Sequence, residues 1–187
     1  MKAFFAVFVF FALAYAQHNH SMGSKSMQAL ERASGKTFDI YWLSQMIEHH
    51  NGAVVMAKAV LKSGQDTRVK KAARSIIADQ SKEIKQMTTW LKTWYNTTPN
   101  KKQMALMQQD LEPMILAASG GMAGMPMDNP DKNFLEGMIA HHQGAVDMGK
   151  LAQKKALKPE LKTFAAQVIQ VQSAEIRQYQ AWLKTIK

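Results

Sequence analysis

The sequence predicts an all-α protein, a four-helix bundle made of two repeated antiparallel helical hairpins with a long methionine-rich crossover linker. Three observations predict it. Residues 39–58 align without gaps on residues 131–150, at a constant offset of 92 positions, and the offset persists downstream, where Gln80, Glu83, Ile84, Trp90 and Leu91 match Gln172, Glu175, Ile176, Trp182 and Leu183. Within each repeated segment apolar residues recur every three or four positions, the period of one helix face. The chain also has 187 residues, 47% hydrophobic and 20% charged, enough for one compact domain with a real core.

Taken in order, Met1-Lys2 leads into the apolar stretch 3–16, which is rich in phenylalanine and ends in Ala14-Tyr15-Ala16. A positive start, a short apolar run and an A-x-A site read as a secretory signal, residues 1–16. The run is too short for a comfortable membrane span, which needs about 20 apolar residues. Residues 17–37 read as a flexible tail carrying His18, His20, Met22 and Met27, and the bundle occupies residues 38–187. Its first helix carries Trp42, Met46, His49, Ala53, Met56 and Val60 on one stripe, and its second carries Ile76, Gln80, Glu83, Met87, Trp90 and Trp94. Ser63-Gly64-Gln65-Asp66 supplies a stop and then a cap, and Pro159 suits a first helical position in the other copy. Short connectors make the paired helices antiparallel, giving hairpins at about 38–95 and 130–187. One hairpin cannot bury both of its stripes alone, whereas two can. In the linker, residues 96–129, the part from 101 to 118 reads as a helix that Pro113 interrupts, and the Gly- and Met-rich part after it as irregular.

The absence of cysteine excludes disulfide scaffolds, thiolate zinc sites and iron–sulfur clusters. The formal charge of +10 is spread over lysines such as Lys70, Lys71, Lys82, Lys85, Lys154, Lys155 and Lys158, which looks like solvated helix faces rather than a nucleic-acid footprint. The chemistry sits elsewhere. All six histidines occur in close pairs, His18 with His20, His49 with His50 and His141 with His142, and four of them hold equivalent places in the repeat. Met46, His49, His50 and Met56 form a thioether and imidazole stripe that Met138, His141, His142 and Met148 repeat. Burying four imidazoles in a core costs desolvation unless each finds a partner, and leucine would pack better. Glu83 and Glu175 fall at nearly the level of the histidines across each hairpin, placed to orient a ring or to ligate directly. Imidazole with thioether and no thiolate favours copper, Cu(I) especially, with Cu(II) and Ag(I) as alternatives; a di-iron site needs about four carboxylates, and the stripes offer two. Met87, and Met122, Met125 and Met127 with His18 and His20 outside the bundle, are further soft donors.

The doubled M-[IL]-x-H-H-x-x-A-x-x-M pattern, Met46 through Met56 and Met138 through Met148, together with Gln80-x-x-Glu83-x-x-x-Met87-x-x-Trp90-Leu91, resembles the bacterial domain-of-unknown-function family 305. The resemblance covers residues 38–187. It implies a ferritin-like four-helix bundle, periplasmic or secreted, associated with copper binding and resistance, with Met46, His49, His50, Met56, Met138, His141, His142 and Met148 as the candidate ligands. The chain departs from its own first copy at Tyr179, which stands where Met87 does. The function expected is sequestration, buffering or carriage of Cu(I) without turnover. The rival is a redox metalloenzyme or a haem-binding bundle using His and Met as axial ligands. Partners in view are metal ions, a copper-export or copper-delivery protein and a second copy of the chain; nucleic acid and stable membrane insertion after signal cleavage are not expected.

Overall fold

The computed structural model describes residues 24–119 and 129–186, and within them the chain is all helical. Six helices follow one another: α1 (Lys25–Arg32), α2 (Gly35–Ser63), α3 (Thr67–Tyr95), α4 (Lys101–Ser119), α5 (Pro130–Lys155) and α6 (Pro159–Leu183). The signal segment, His18, His20, Met22, Met122, Met125 and Met127 lie outside the described residues. Among the described residues no helix is long and apolar enough to cross a membrane.

Local chemistry sets the helix ends. The Ser24 hydroxyl accepts from the Met27 N–H, the Asp66 carboxylate from the Arg68 and Val69 N–H groups, and the Asn129 side chain from the Lys132 N–H. Each satisfies donors that the first helical turn leaves without partners. Pro130 and Pro159 start α5 and α6, where the missing N–H costs nothing. At the far end of α3, Asn96 takes up the left-handed conformation (φ 49°), and its N–H closes onto the carbonyls of Leu91 and Lys92.

Helices α2 and α3 pair as one hairpin and α5 and α6 as the other. The two hairpins meet through α2 and α5, and α4 lies against both of those central helices. Trp42 of α2 donates its indole N–H to the Met148 carbonyl of α5 at 2.9 Å, and its ring meets Phe164 of α6 edge-on. Buried apolar side chains gather in two clusters, one around Phe38, Trp42, Met46, Met87 and Met148, the other around Met56, Val69, Phe134, Met138 and Tyr179.

Two segments differ from the sequence expectation. The stretch expected as a flexible tail contains α1 and the start of α2, and Met27 and Leu30 are buried in the core. Little more than two turns of helix carry too few apolar positions to show a period. In the linker, α4 runs through Pro113 without a break and buries Gln103, Met107, Leu111 and Ala118. Pro113 and Gln109 are both exposed, so the carbonyl that proline deprives of its helical partner can face water. The linker is therefore a packed helix over most of its described length. A buried bond from Gln45 Nε2 to Gln103 Oε1, at 2.7 Å, ties it to α2, and the same nitrogen donates to the Ser26 carbonyl of α1.

The hairpins also hold each other. Buried Asp39 of α2 accepts from the N–H groups of Leu157 and Lys158 in the turn of the second hairpin (2.9 and 3.1 Å) and from the Tyr95 hydroxyl (2.6 Å). Asp131 of α5 does the same for the first hairpin, accepting from the N–H groups of Gln65 and Asp66 at 2.6 and 3.0 Å. These are equivalent residues at the repeat offset, so each elbow is clasped by a carboxylate of the other half. The clasp explains Gly64, where a Cβ would collide with Asp131 Oδ1 and come within 2.8 Å of the Val60 carbonyl.

Candidate metal centre

Where helices α2 and α5 cross, a glycine of each faces a histidine of the other. A Cβ on Gly52 would stand 3.5 Å from His141 Nε2, and one on Gly144 would stand 3.4 Å from His49 Nε2. The rings of His49 and His141 lie against each other between these helices, tilted by 43°, with centroids 3.7 Å apart. His141 Nε2 donates to the His49 carbonyl at 2.9 Å. Each partner of the central pair then has a neighbour pointing outward to its own hairpin. His50 Nε2 meets Glu83 Oε2 at 2.7 Å, and His142 Nε2 lies 2.9 Å from Glu175 Oε2. The carboxylates are partly exposed, with side chains 32% and 27% accessible, while the four imidazoles are at most 1% accessible.

The expected doublets and carboxylates thus come together, and Glu83 and Glu175 sit on outer ring nitrogens. Both nitrogens of His49 and of His142 and the Nδ1 atoms of His50 and His141 have no hydrogen-bond partner within the protein, nor do the side-chain oxygens of buried Gln80 and Gln172. An unsatisfied buried polar atom costs about 1–3 kcal/mol, so a cluster of them asks for a partner. Burial pushes the pKa values of His49 and His141 well below 6.5, with the neighbouring imidazoles adding to the effect. Both rings are therefore neutral at physiological pH, the state that offers a lone pair to a metal. Burial, reinforced by the Glu175 charge, raises the pKa of Tyr179, whose ring stacks on His142 at 5.8 Å and remains a neutral phenol.

Met46, Met56, Met87, Met138 and Met148 are all buried, but not in the repeat-by-repeat grouping of the sequence stripe. Met46 and Met87 share a cluster with Met148 from the other copy, and Met138 and Tyr179 share one with Met56. Among the described residues, no three His, Asp or Glu side chains converge on one point, so these residues form no oxygen- and nitrogen-only cage. The donor set present is neutral imidazole and thioether, which fits a soft cation. Sequence reasoning missed Asp39 and Asp131 as the clasps, although their alignment at the repeat offset was the available signal, and it did not place Tyr179 on His142.

Fold and centre define a tandem-hairpin helical protein with a buried histidine core. The chain belongs to the family described as domain of unknown function (DUF305), whose profile matches residues 13–91 and 60–183. It is similar to CopM, for which Cu(I)-, Cu(II)- and Ag-bound forms have been solved. The Cu(I)-bound form is 32% identical with a TM-score of 0.65, over 79% of this chain and 96% of that one. The Cu(II)-bound form is 29% identical with a TM-score of 0.62, over the same shares of the two chains. A DUF305 fragment from Deinococcus radiodurans is 26% identical with a TM-score of 0.67, again over 79% and 96%. A DUF305 protein of Streptomyces coelicolor described as secreted shares the fold at 22% identity and a TM-score of 0.66, over 79% of this chain and 92% of that one. Among curated proteins, none matches the chain.

Proposed function

We propose that the chain is an extracytoplasmic copper-binding protein that sequesters, buffers or carries Cu(I), and takes Ag(I) as its chemical analogue. One observation carries the reading: four imidazoles buried at the meeting of two helices, with six of their ring nitrogens lacking a hydrogen-bond partner and buried thioethers at the same repeat positions. A core selected for stability alone would replace such groups with leucine. Likeness to CopM, solved with Cu(I), Cu(II) and silver, supports the choice of metal. The 3.7 Å separation of the His49 and His141 rings favours a small ion over a macrocycle held between them. The N-terminal signal-like segment supports export, and the lack of any thiol suits an oxidising compartment.

An anaerobic Cu(I) titration of the full chain against a chromogenic Cu(I) chelator tests the proposal. The protein is expected to take copper from the chelator. A variant with His49, His50, His141 and His142 all replaced by glutamine, its helical content checked by circular dichroism, is expected to lose most of that capacity. Undiminished uptake by the folded variant would overturn the site, and no uptake by the unaltered chain would overturn the function.

A further inference from the structure

The two methionine groups are not equal. In the antiparallel register that sets Gly52 against His141 and Gly144 against His49, Met46 comes opposite the turn of α5 that carries Met148, and Met56 opposite the turn that carries Met138. Within each hairpin, His50 meets Glu83 and His142 meets Glu175. One helical turn further, Met46 comes level with Met87, and Met138 comes level with Tyr179. The stacking of Tyr179 on His142 agrees with that register. A carboxylate can only accept, so His50 Nε2 carries the proton towards Glu83 and the unpartnered Nδ1 keeps the lone pair. His142 stands in the same relation to Glu175, but its Nε2 is not aligned for a hydrogen bond.

Resting on the copper-binding reading, we infer that the chain holds two unequal soft-metal sites, each assembled across the repeats. The stronger uses His50 Nδ1 with the thioethers of Met46, Met87 and Met148. The weaker uses His142 Nδ1 with Met138 and Met56, and has the Tyr179 ring where the third thioether would be. A neutral phenol offers Cu(I) or Ag(I) only a hard, weak oxygen or its ring face, in place of a soft sulfur. Glu83 and Glu175 are positioning residues that act through the outer nitrogens, not ligands.

Silver(I) nitrate titrated into the full chain, followed by methionine ε-methyl and histidine ¹⁵N resonances, separates the two sites. Met46, Met87, Met148 and His50 Nδ1 are expected to shift together in a first event, and Met56, Met138 and His142 Nδ1 in a second. The second should be weaker by at least the roughly tenfold that even the outer partners of metal ligands command. Met87→Leu preserves core volume and is expected to bring the first event down to the affinity of the second. Tyr179→Met should raise the second towards the first, while Tyr179→Phe leaves it unchanged. Met46 shifting together with Met56, or both events unaltered in folded Met87→Leu, would overturn the inference while leaving copper binding intact. No shift of any histidine or methionine with Ag(I) would overturn the copper-binding reading itself.

Discussion

The two halves of this chain share a plan and differ in detail. At the elbow the first hairpin has Gly64 and the second Ala156; facing the histidine pair the first has Met87 and the second Tyr179. The first half makes an aligned His50–Glu83 hydrogen bond at 2.7 Å, whereas the His142–Glu175 contact at 2.9 Å is off line. Asp39 accepts three hydrogen bonds and its counterpart Asp131 two. The central His49–His141 pair is itself unequal, since His141 Nε2 donates to the His49 carbonyl while neither His49 nitrogen has a partner, and the asymmetry continues one helix further out.

The largest expected effect comes from the clasps. Asp39→Ala leaves two backbone N–H groups and the Tyr95 hydroxyl without their acceptor, and should lower unfolding free energy by about 3–5 kcal/mol. Asp131→Ala, which frees two donors, should cost about 2–3 kcal/mol. Urea midpoints at unchanged slope measure both, and equal losses would mean that the Tyr95 bond adds nothing.

Acid should act on the halves alike. His49 and His141 have pKa values depressed in the fold, so below the ordinary value of 6.5 the unfolded chain takes up protons that the folded chain refuses. Their contribution is intact above about pH 6.5 and is lost as pH falls, with a slope of about 1.4 kcal/mol per pH unit for each ring. Metal-free protein unfolded in urea across pH 5–7 should show this slope, halved in His49→Gln or in His141→Gln. A slope that only one of the two substitutions reduces would show that the two central rings do not contribute equally.

The smallest effect is the most discriminating. Gly144→Ala meets only His49 Nε2 at 3.4 Å, so the gain in helix propensity should stabilise the chain by up to about 1 kcal/mol. Gly52→Ala meets the tips of Ile115 and Leu111 at 3.1 and 3.2 Å, and should be neutral or lose about 1 kcal/mol. Thermal unfolding of the pair distinguishes the glycine that α4 covers from the one it leaves uncovered.

Much of this was readable from the residues. The repeat offset, the helical stripes and the turn at Gly64 give the two hairpins, and the position of Glu83 relative to the elbow puts it level with the histidines. Helix α1 was not readable, because eight residues with two buried apolar side chains carry no periodic signal. Continuity of α4 through Pro113 depends on that turn facing solvent, which only packing decides. The grouping of methionines was hidden for a related reason. A sequence stripe lists neighbours along one helix, but antiparallel crossing of α2 and α5 sets the first methionine of one copy beside the last methionine of the other.

Because each elbow is fastened by a carboxylate from the opposite half, neither hairpin is complete alone, and the chain resembles a twofold dimer written on a single thread. In a true dimer every substitution arrives twice, and a residue that suits one side must also suit its twin. Joining the partners covalently removes that obligation. Tyrosine can then stand opposite methionine, and alanine opposite glycine, without any change at the shared axis.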